Sequence, residues 1–240
     1  MTLTGSLVPL STQASADREL AFRYAPHIFF ADEEPFLPLA VGYTIFRDEA
    51  QSLSFPKRRI ERQRLPAWDS VIEYAVWMDW DIGHLYELEH TWSYVSANGD
   101  LVFSEGSWHG GWSPMTLDDD SMPREGTHPI VYAQPGKHAF APSPDWFLEI
   151  KENVIEATTT KAGEDGVLVQ AMYGGRIQKT PHDDELAAAY CRRRAFTPSL
   201  QFTQRVDLSR EMLVPWETML EWIPLRVNWW MEQLRSGKVV

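Results

Sequence analysis

The chain has almost no cysteine. Cys191 stands alone among 240 residues, so no intramolecular disulfide can form and the usage fits a reducing compartment. There is also no run of about 18 apolar residues, the pattern that a membrane-spanning helix requires. Positive charge is scarce, with 22 Lys and Arg against 34 Asp and Glu and a formal net charge of -12. Binding to nucleic acid or to anionic membrane surfaces needs clustered basic residues, so neither partner is expected. A phosphate-binding glycine loop, a dinucleotide fingerprint, a nucleophile elbow and zinc-finger spacing are all missing. No internal repeat or low-complexity linker divides the chain.

What is abundant is apolar and aromatic. Hydrophobic residues make up 44% and aromatics 12%, with eleven Trp, which is ample for a substantial core. Met1 to Leu10 lacks the basic start and continuous apolar middle of a secretory signal. Residues 1–14 are therefore expected to be a flexible tail, and residues 15–240 a single domain with a C-terminal helical segment. The expected location is cytoplasmic.

Short β-like segments dominate the chain. They run over Ile28 to Phe30, Leu37 to Phe46, Val71 to Met78, Glu87 to Val95, Leu101 to Glu105 and Pro129 to Ala133, then Phe147 to Ile150, Asn153 to Thr159, Val167 to Met172 and Leu200 to Val206. Branched and aromatic residues fill them, and Pro, Gly or charges bound them. Asn98-Gly99 is a hairpin-turn signal between two of these segments. The pattern predicts a mainly β fold, an antiparallel β-sandwich of jelly-roll type. Three helices accompany it. A short N-terminal helix is capped by Ser15, a second opens at Thr180-Pro181-His182-Asp183, and the last runs from about Pro215 to Arg235 with a break or kink at Pro224. The apolar face of that last helix is expected to pack on the sandwich. Lys57, Arg58, Arg59, Arg62 and Arg64 form the main basic run, which reads as a solvated loop or edge strand, or as an anion-binding rim.

The chemistry concentrates in Gly83-His84-Leu85-Tyr86-Glu87-Leu88-Glu89-His90. On a strand, side chains alternate, so Glu87, Glu89, Thr91 and Ser93 share one face, and Leu88, His90, Trp92 and Tyr94 the other. Two carboxylates two residues apart repel unless a cation or a shared proton compensates. His84 can turn toward the same face, so His84, Glu87 and Glu89 are candidate metal ligands. His90 falls on the core side, and Trp92 is expected in the core. Further along, His109 sits between Trp108 and Gly110-Gly111-Trp112, a setting that directs a side chain into a site, and Gly136-Lys137-His138 adds another imidazole. His109 is a further candidate ligand. With His138 it is also a candidate catalytic proton-transfer group. Trp80, Trp108 and Trp112 are candidate substrate-binding platforms. Cys191 lies beside Arg192, Arg193 and Arg194 without an evident catalytic partner.

Gly83 to Glu89, read as Gly-His-x-x-acid-x-Glu, followed by His109-Gly110-Gly111-Trp112, resembles the necrosis- and ethylene-inducing-like proteins. Glu87-Leu88-Glu89-His90, His128-Pro129-Ile130-Val131-Tyr132 and Gly136-Lys137-His138-Ala139 are also similar to fungal vacuolar-protein-sorting-type sequences. Both likenesses lie within residues 74 to 140. The toxin resemblance implies a single-domain β-sandwich, a divalent cation held by the His and the two acids, and attack on plant membranes through glycolipid headgroups. It also implies an upstream ligating Asp, a place that Asp79 or Asp81 could fill. Leu85-Tyr86-Glu87-Leu88 stands where the toxins carry Arg-His-Asp-Trp, so the acid is kept in type while the second histidine and the tryptophan are replaced.

Two carboxylates with one or two imidazoles suit Mg, Mn, Ca or Zn. The leading expectation is a divalent-metal-dependent enzyme, most simply a hydrolase acting on a small molecule or glycan through a metal-activated water. The alternatives are a metal-assisted carbohydrate- or glycolipid-binding protein and a scaffold with a structural ion.

Overall fold

The computed structural model describes residues 3–11, 15–62 and 66–239. Five helices and fourteen strands occur among them. The helices are α1 (Ala16–Arg23), α2 (Asp145–Glu149), α3 (Lys151–Thr158), α4 (Pro181–Arg192) and α5 (Trp216–Arg235). The first eight strands are β1 (His27–Phe30), β2 (Ala40–Phe46), β3 (Ala50–Gln51), β4 (Arg59–Ile60), β5 (Ser70–Trp80), β6 (His84–Val95), β7 (Leu101–Trp108) and β8 (Gly111–Pro114). The remaining six are β9 (Arg124–Glu125), β10 (His128–Ala133), β11 (Phe140–Ala141), β12 (Gly166–Val167), β13 (Gln204–Asp207) and β14 (Leu213–Pro215).

These elements build a mixed α and β fold around two main sheets. The larger has the order β14-β2-β5-β6-β7-β8, with β12 joined to β6, and the smaller has the order β11-β10-β1-β13, with β9 joined to β10. The expectation of a purely antiparallel arrangement needs correction, because β1 and β10, β2 and β14, and β6 and β12 pair in parallel. Such pairs join segments far apart in sequence and leave no local turn signal.

All eleven residues of β5 are buried, because both of its faces are covered. One face joins the apolar cluster formed with the smaller sheet, which includes Ile72, Tyr74, Val76 and Met78 together with Ile28, Phe30, Val131 and Phe140. The other lies in the cluster that Trp216, Trp222, Ile223 and Val227 of α5 share with Trp77. The packing of α5 on the sheet is therefore as expected, and Pro224 lies within the helix rather than ending it. Among the described residues no helix is long and apolar enough to cross a membrane.

Local signals hold where they are strongest. Ser15 caps α1, its Oγ accepting the Arg18 N–H at 3.1 Å, and Thr180 and Asp183 form a reciprocal capping box on α4. Gly99, at φ +82°, makes the β6–β7 turn. Two strand expectations fail. Phe147 to Ile150 and Asn153 to Thr159 are instead largely helical, in α2 and α3. The β-branched Val154 and Thr158 lie four apart and are both buried, so tertiary packing of one helical face overrides their strand propensity. In the Val167 to Met172 segment only Gly166–Val167 pairs, followed by a short 3-10 turn at Ala171–Tyr173. The start of the chain, expected as a loose tail, contributes Thr4 and Leu7 carbonyls that accept the Trp222 indole N–H.

Candidate functional site

The β5–β6 connection is the short turn Asp81-Ile82-Gly83. Asp81 organises it, its Oδ1 accepting the backbone N–H groups of Gly83 and His84, both at 2.6 Å. An aspartate that caps its own turn in this way is held without side-chain freedom. His84 then opens β6. Strict alternation would set Glu87, three residues on, on the opposite face, but Tyr86 at φ +90° interrupts it, and His84 meets Glu87 at the face that Glu87 occupies. That face looks toward the smaller sheet, since Glu87 lies opposite Met78 and Glu89 opposite Val76, and both partners belong to the inter-sheet cluster.

Asp81, His84 and Glu87 form the group suited to a metal ion. One ligand atom from each lies within 4.8 Å of the others, with the His84 Nε2 to Asp81 Oδ2 distance at 3.5 Å. All three residues are buried, and His84 and Glu87 retain 8% and 9% exposure. The donor set fits a divalent cation on two grounds. His84 Nδ1 is buried without a hydrogen-bond partner among the described residues, and Glu87 has no ion-pair partner among them, its Oε1 accepting only the Leu88 N–H at 2.8 Å.

The electrostatics agree. Burial, then repulsion from Glu89 and Asp81, pushes the Glu87 carboxyl well above the usual range. Burial likewise raises Glu89 to about 7, although a hydrogen bond from Ser107 opposes the shift. Burial lowers His84 despite the nearby Asp81, which favours the neutral imidazole that a metal requires. For Asp81 burial acts upward, but His84 and Lys137 outweigh it and hold the carboxyl below its ordinary value.

Lys137 is the cation already present. Its Nζ lies 2.8 Å from Asp81 Oδ2 and 3.4 Å from Asp165 Oδ2. The loop that delivers it is fixed by hydrogen bonds from the Ile82 N–H to the Gly136 carbonyl and from the Gly136 N–H to Glu34 Oε2. A divalent ion at Asp81 would share or contest Oδ2 with this ammonium.

The other expected site residues distribute unevenly. Glu89 neighbours the cluster on the same face but is bonded by Ser107. His138 adopts φ +58° and turns to Glu34, forming a 3.0 Å ion pair in which neither side chain is exposed. Burial depresses the His138 pKa, but Glu34 overrides this and raises it. His109 stands outside the group, exposed in the β7–β8 turn at φ +45°. Trp80 cannot be a substrate platform, because it is 1% exposed and stacked on Tyr190 at 4.2 Å. Trp108 is half-buried against Trp146 and Phe147, and Trp112 lies under the Arg58 guanidinium at 4.4 Å. His90 and Trp92 are buried, as expected.

The basic run is partly internal. Arg58 is buried in an ion pair with Glu105 and a hydrogen bond to Tyr94, and Arg62 lies over Trp68 at 4.2 Å. Arg64 is outside the described residues. Burial pushes the Cys191 thiol up to about 12, so its arginine neighbours do not activate it. Asp79, the other candidate for the upstream acid, is held by Arg226. Asp81 could have been selected from its Asp-x-Gly turn, whereas nothing local marks Glu34 or Lys137.

No family model and no curated protein matches the sequence. Among solved structures, the chain is similar in fold to NLPPya, a necrosis- and ethylene-inducing-like protein. NLPPya in complex with mannosamine aligns at 16% identity and a TM-score of 0.39, over 59% of this chain and 76% of that one. The complex with glucosamine gives 16%, 0.36, 57% and 73%. A structure described as a toxin fold for microbial attack and plant defense gives 17%, 0.37, 59% and 76%.

Proposed function

We propose that this protein holds a divalent cation at Asp81, His84 and Glu87 and uses it to bind a hydroxyl-rich ligand, a glycan or a glycolipid headgroup. The observation that carries the reading is the convergence of two carboxylates and one imidazole within 4.8 Å, with Glu87 raised well above the carboxylate range by burial beside Glu89. Such a pair is relieved by a cation. A bound ion supplies open positions for sugar hydroxyl oxygens. The protein's own part is to orient the donors. The Asp81 turn fixes one carboxylate, β6 fixes the imidazole and the second carboxylate, and Lys137 limits the net charge. Within this reading the two main sheets serve as the β-sandwich scaffold of a sugar-binding protein.

Hydrolysis has less support. A hydrolase needs a proton-transfer group in reach of the reacting bond. Of the two expected, His138 is committed to Glu34 with no exposed side-chain surface, and His109 lies outside the cluster.

Titration calorimetry with Mn, Mg and Ca on the wild type and Glu87→Gln tests the cation. Binding to the wild type that the variant loses is the expected result, and a wild type that binds none of the three ions removes the proposal. Retention on immobilised glycans is expected with the cation and not with EDTA. Turnover in a panel of glycoside, ester and phosphoester substrates would replace the binding reading with the hydrolytic one.

A further inference from the structure

We propose that Lys137 is a built-in counter-cation of the Asp81, His84 and Glu87 site, seated by Gly83 and held by Glu34, and that Glu34 thereby sets how tightly the site takes a divalent ion. The effect on affinity rests on the cation reading above, and the seating of Lys137 stands without it.

The seat is made by an absent side chain. Gly83 is not in the left-handed region, so backbone freedom does not account for a glycine there. Space does. A Cβ on residue 83 would lie 2.4 Å from Lys137 Nζ, 3.0 Å from Asp165 Oδ2 and 3.3 Å from Asp81 Oδ1, and a carbon cannot approach an ammonium nitrogen that closely. The turn that carries Asp81 therefore keeps a place for the ammonium, which sits 2.8 Å from Asp81 Oδ2. A surface lysine that merely drifted into an ion pair would need no such clearance.

The anchor is Glu34. Lys137 stands in the tight turn between β10 and β11, where its own N–H and that of His138 both donate to the Gln134 carbonyl, at 3.2 and 2.8 Å. Glu34 grips this turn on either side of Lys137. Its Oε2 accepts the Gly136 N–H at 2.7 Å, and its Oε1 lies 3.0 Å from His138 Nε2. The carboxylate is itself fixed, since it is buried and Oε1 also accepts the Phe36 N–H at 3.3 Å. The Gly136 carbonyl then accepts the Ile82 N–H at 2.8 Å, which ties the turn to the Asp81 loop. Their approach is so close that a Cβ on Gly136 would lie 2.7 Å from Ile82 Cγ2 and 2.8 Å from Thr158 Cγ2. One buried carboxylate thus fixes the residue before Lys137 and the residue after it. A lysine held at its base loses less freedom when its ammonium settles on one oxygen, and the tether keeps that ammonium at high effective concentration beside Asp81. A divalent ion must share Oδ2 with it or displace it, so loosening the anchor favours the ion.

Two variants that leave the charge unchanged test this. Glu34→Asp is shorter by one methylene and cannot reach Gly136 and His138 together, and Gly83→Ala fills the seat from the opposite side. The first readout is lysine acylation followed by mass spectrometry, in EDTA. Wild-type Lys137 is expected to react about fivefold more slowly than the exposed Lys151 and Lys238. Each variant should remove most of that protection and leave the other lysines unchanged, a selectivity that a general loss of stability would not give. The second readout is calorimetry with Mn. Glu34→Asp is expected to bind Mn up to about fivefold more tightly than the wild type, and to make no further difference in a Lys137→Met background. A wild type that binds no divalent ion removes the cation reading and the effect on affinity, while acylation still decides the seating of Lys137. Unprotected Lys137 in the wild type, protection that survives in both folded variants, acceleration shared by all lysines, or an equal change in Mn affinity in the Lys137→Met background would each overturn the proposal.

Discussion

At the scale of single residues, Glu87 and Glu89 each make the protein's stability depend on pH. Their folded-state pKa values lie above the ordinary 4.5, Glu89 near 7 and Glu87 well up. The folded state therefore holds protons that the unfolded state has released. Stability is fullest below about pH 4.5 as far as this pair is concerned, and is lost as pH rises toward and past 7. Between pH 5 and pH 8 the metal-free wild type should lose more melting temperature, or gain less, than metal-free Glu87→Gln, as followed by circular dichroism, and an identical pH response of the two would contradict the assignment. A saturating divalent cation should erase most of the difference. Glu87→Gln removes one charge of the pair, so metal-free protein at pH 8 should gain stability while losing cation binding. Lys137→Met should act in the opposite sense. Asp81 loses its ammonium partner, so the melting temperature of the metal-free protein falls, yet removal of a like charge tightens cation binding by about 1 kcal/mol, roughly fivefold. A variant that weakened both would place Lys137 in support of the ion rather than in competition with it.

At the scale of elements, α5 shows how a proline is accommodated in a helix. Pro224 cannot donate to the Leu220 carbonyl, the bond its position would normally make. Arg176 takes that role from outside, its Nη1 donating to the Leu220 carbonyl at 3.2 Å and its Nη2 to the Glu221 carbonyl at 3.3 Å. Arg176→Ala should lower stability by about 1 kcal/mol in urea titration, and no loss would mean that water satisfies Leu220 equally well. The same helix is tied to β5 by Arg226, which clasps Asp79 through Nε at 2.8 Å and Nη2 at 2.6 Å. Both side chains are largely buried. Asp79→Asn alone should cost about 3 to 5 kcal/mol, because a buried guanidinium is stranded. The double variant Asp79→Asn with Arg226→Met should recover much of that, and simple additivity of the two single changes would refute the coupling.

At the scale of the molecule, legibility followed distance along the chain. Caps, the Asn98-Gly99 turn and the two faces of β6 depend on interactions within a few residues, and each could be read directly. Glu87 was legible for the same reason: a strand period sets it on one face with Glu89, and two carboxylates on one face announce a charge problem. His84, three residues before Glu87, reaches it only because Tyr86 at φ +90° breaks the alternation. The rest of the site required the fold. Lys137 reaches Asp81 across 56 positions, and Glu34 claims His138 across 104; pairings at such separations have no local signature. Asp79 and Asp81 were equivalent candidates until α5 placed Arg226 against one of them. The segments that became α2 and α3 looked like strands because their residues favour extended backbone, and only the burial of Val154 and Thr158 on one helical face reversed this. The sequence by itself determined which residues carry charge, where turns form and which side chains share a face, all consequences of backbone period and local hydrogen bonding. Tertiary structure alone decided which of those charges are neutralised from within and which remain for a ligand, because that depends on which distant segment packs against each one.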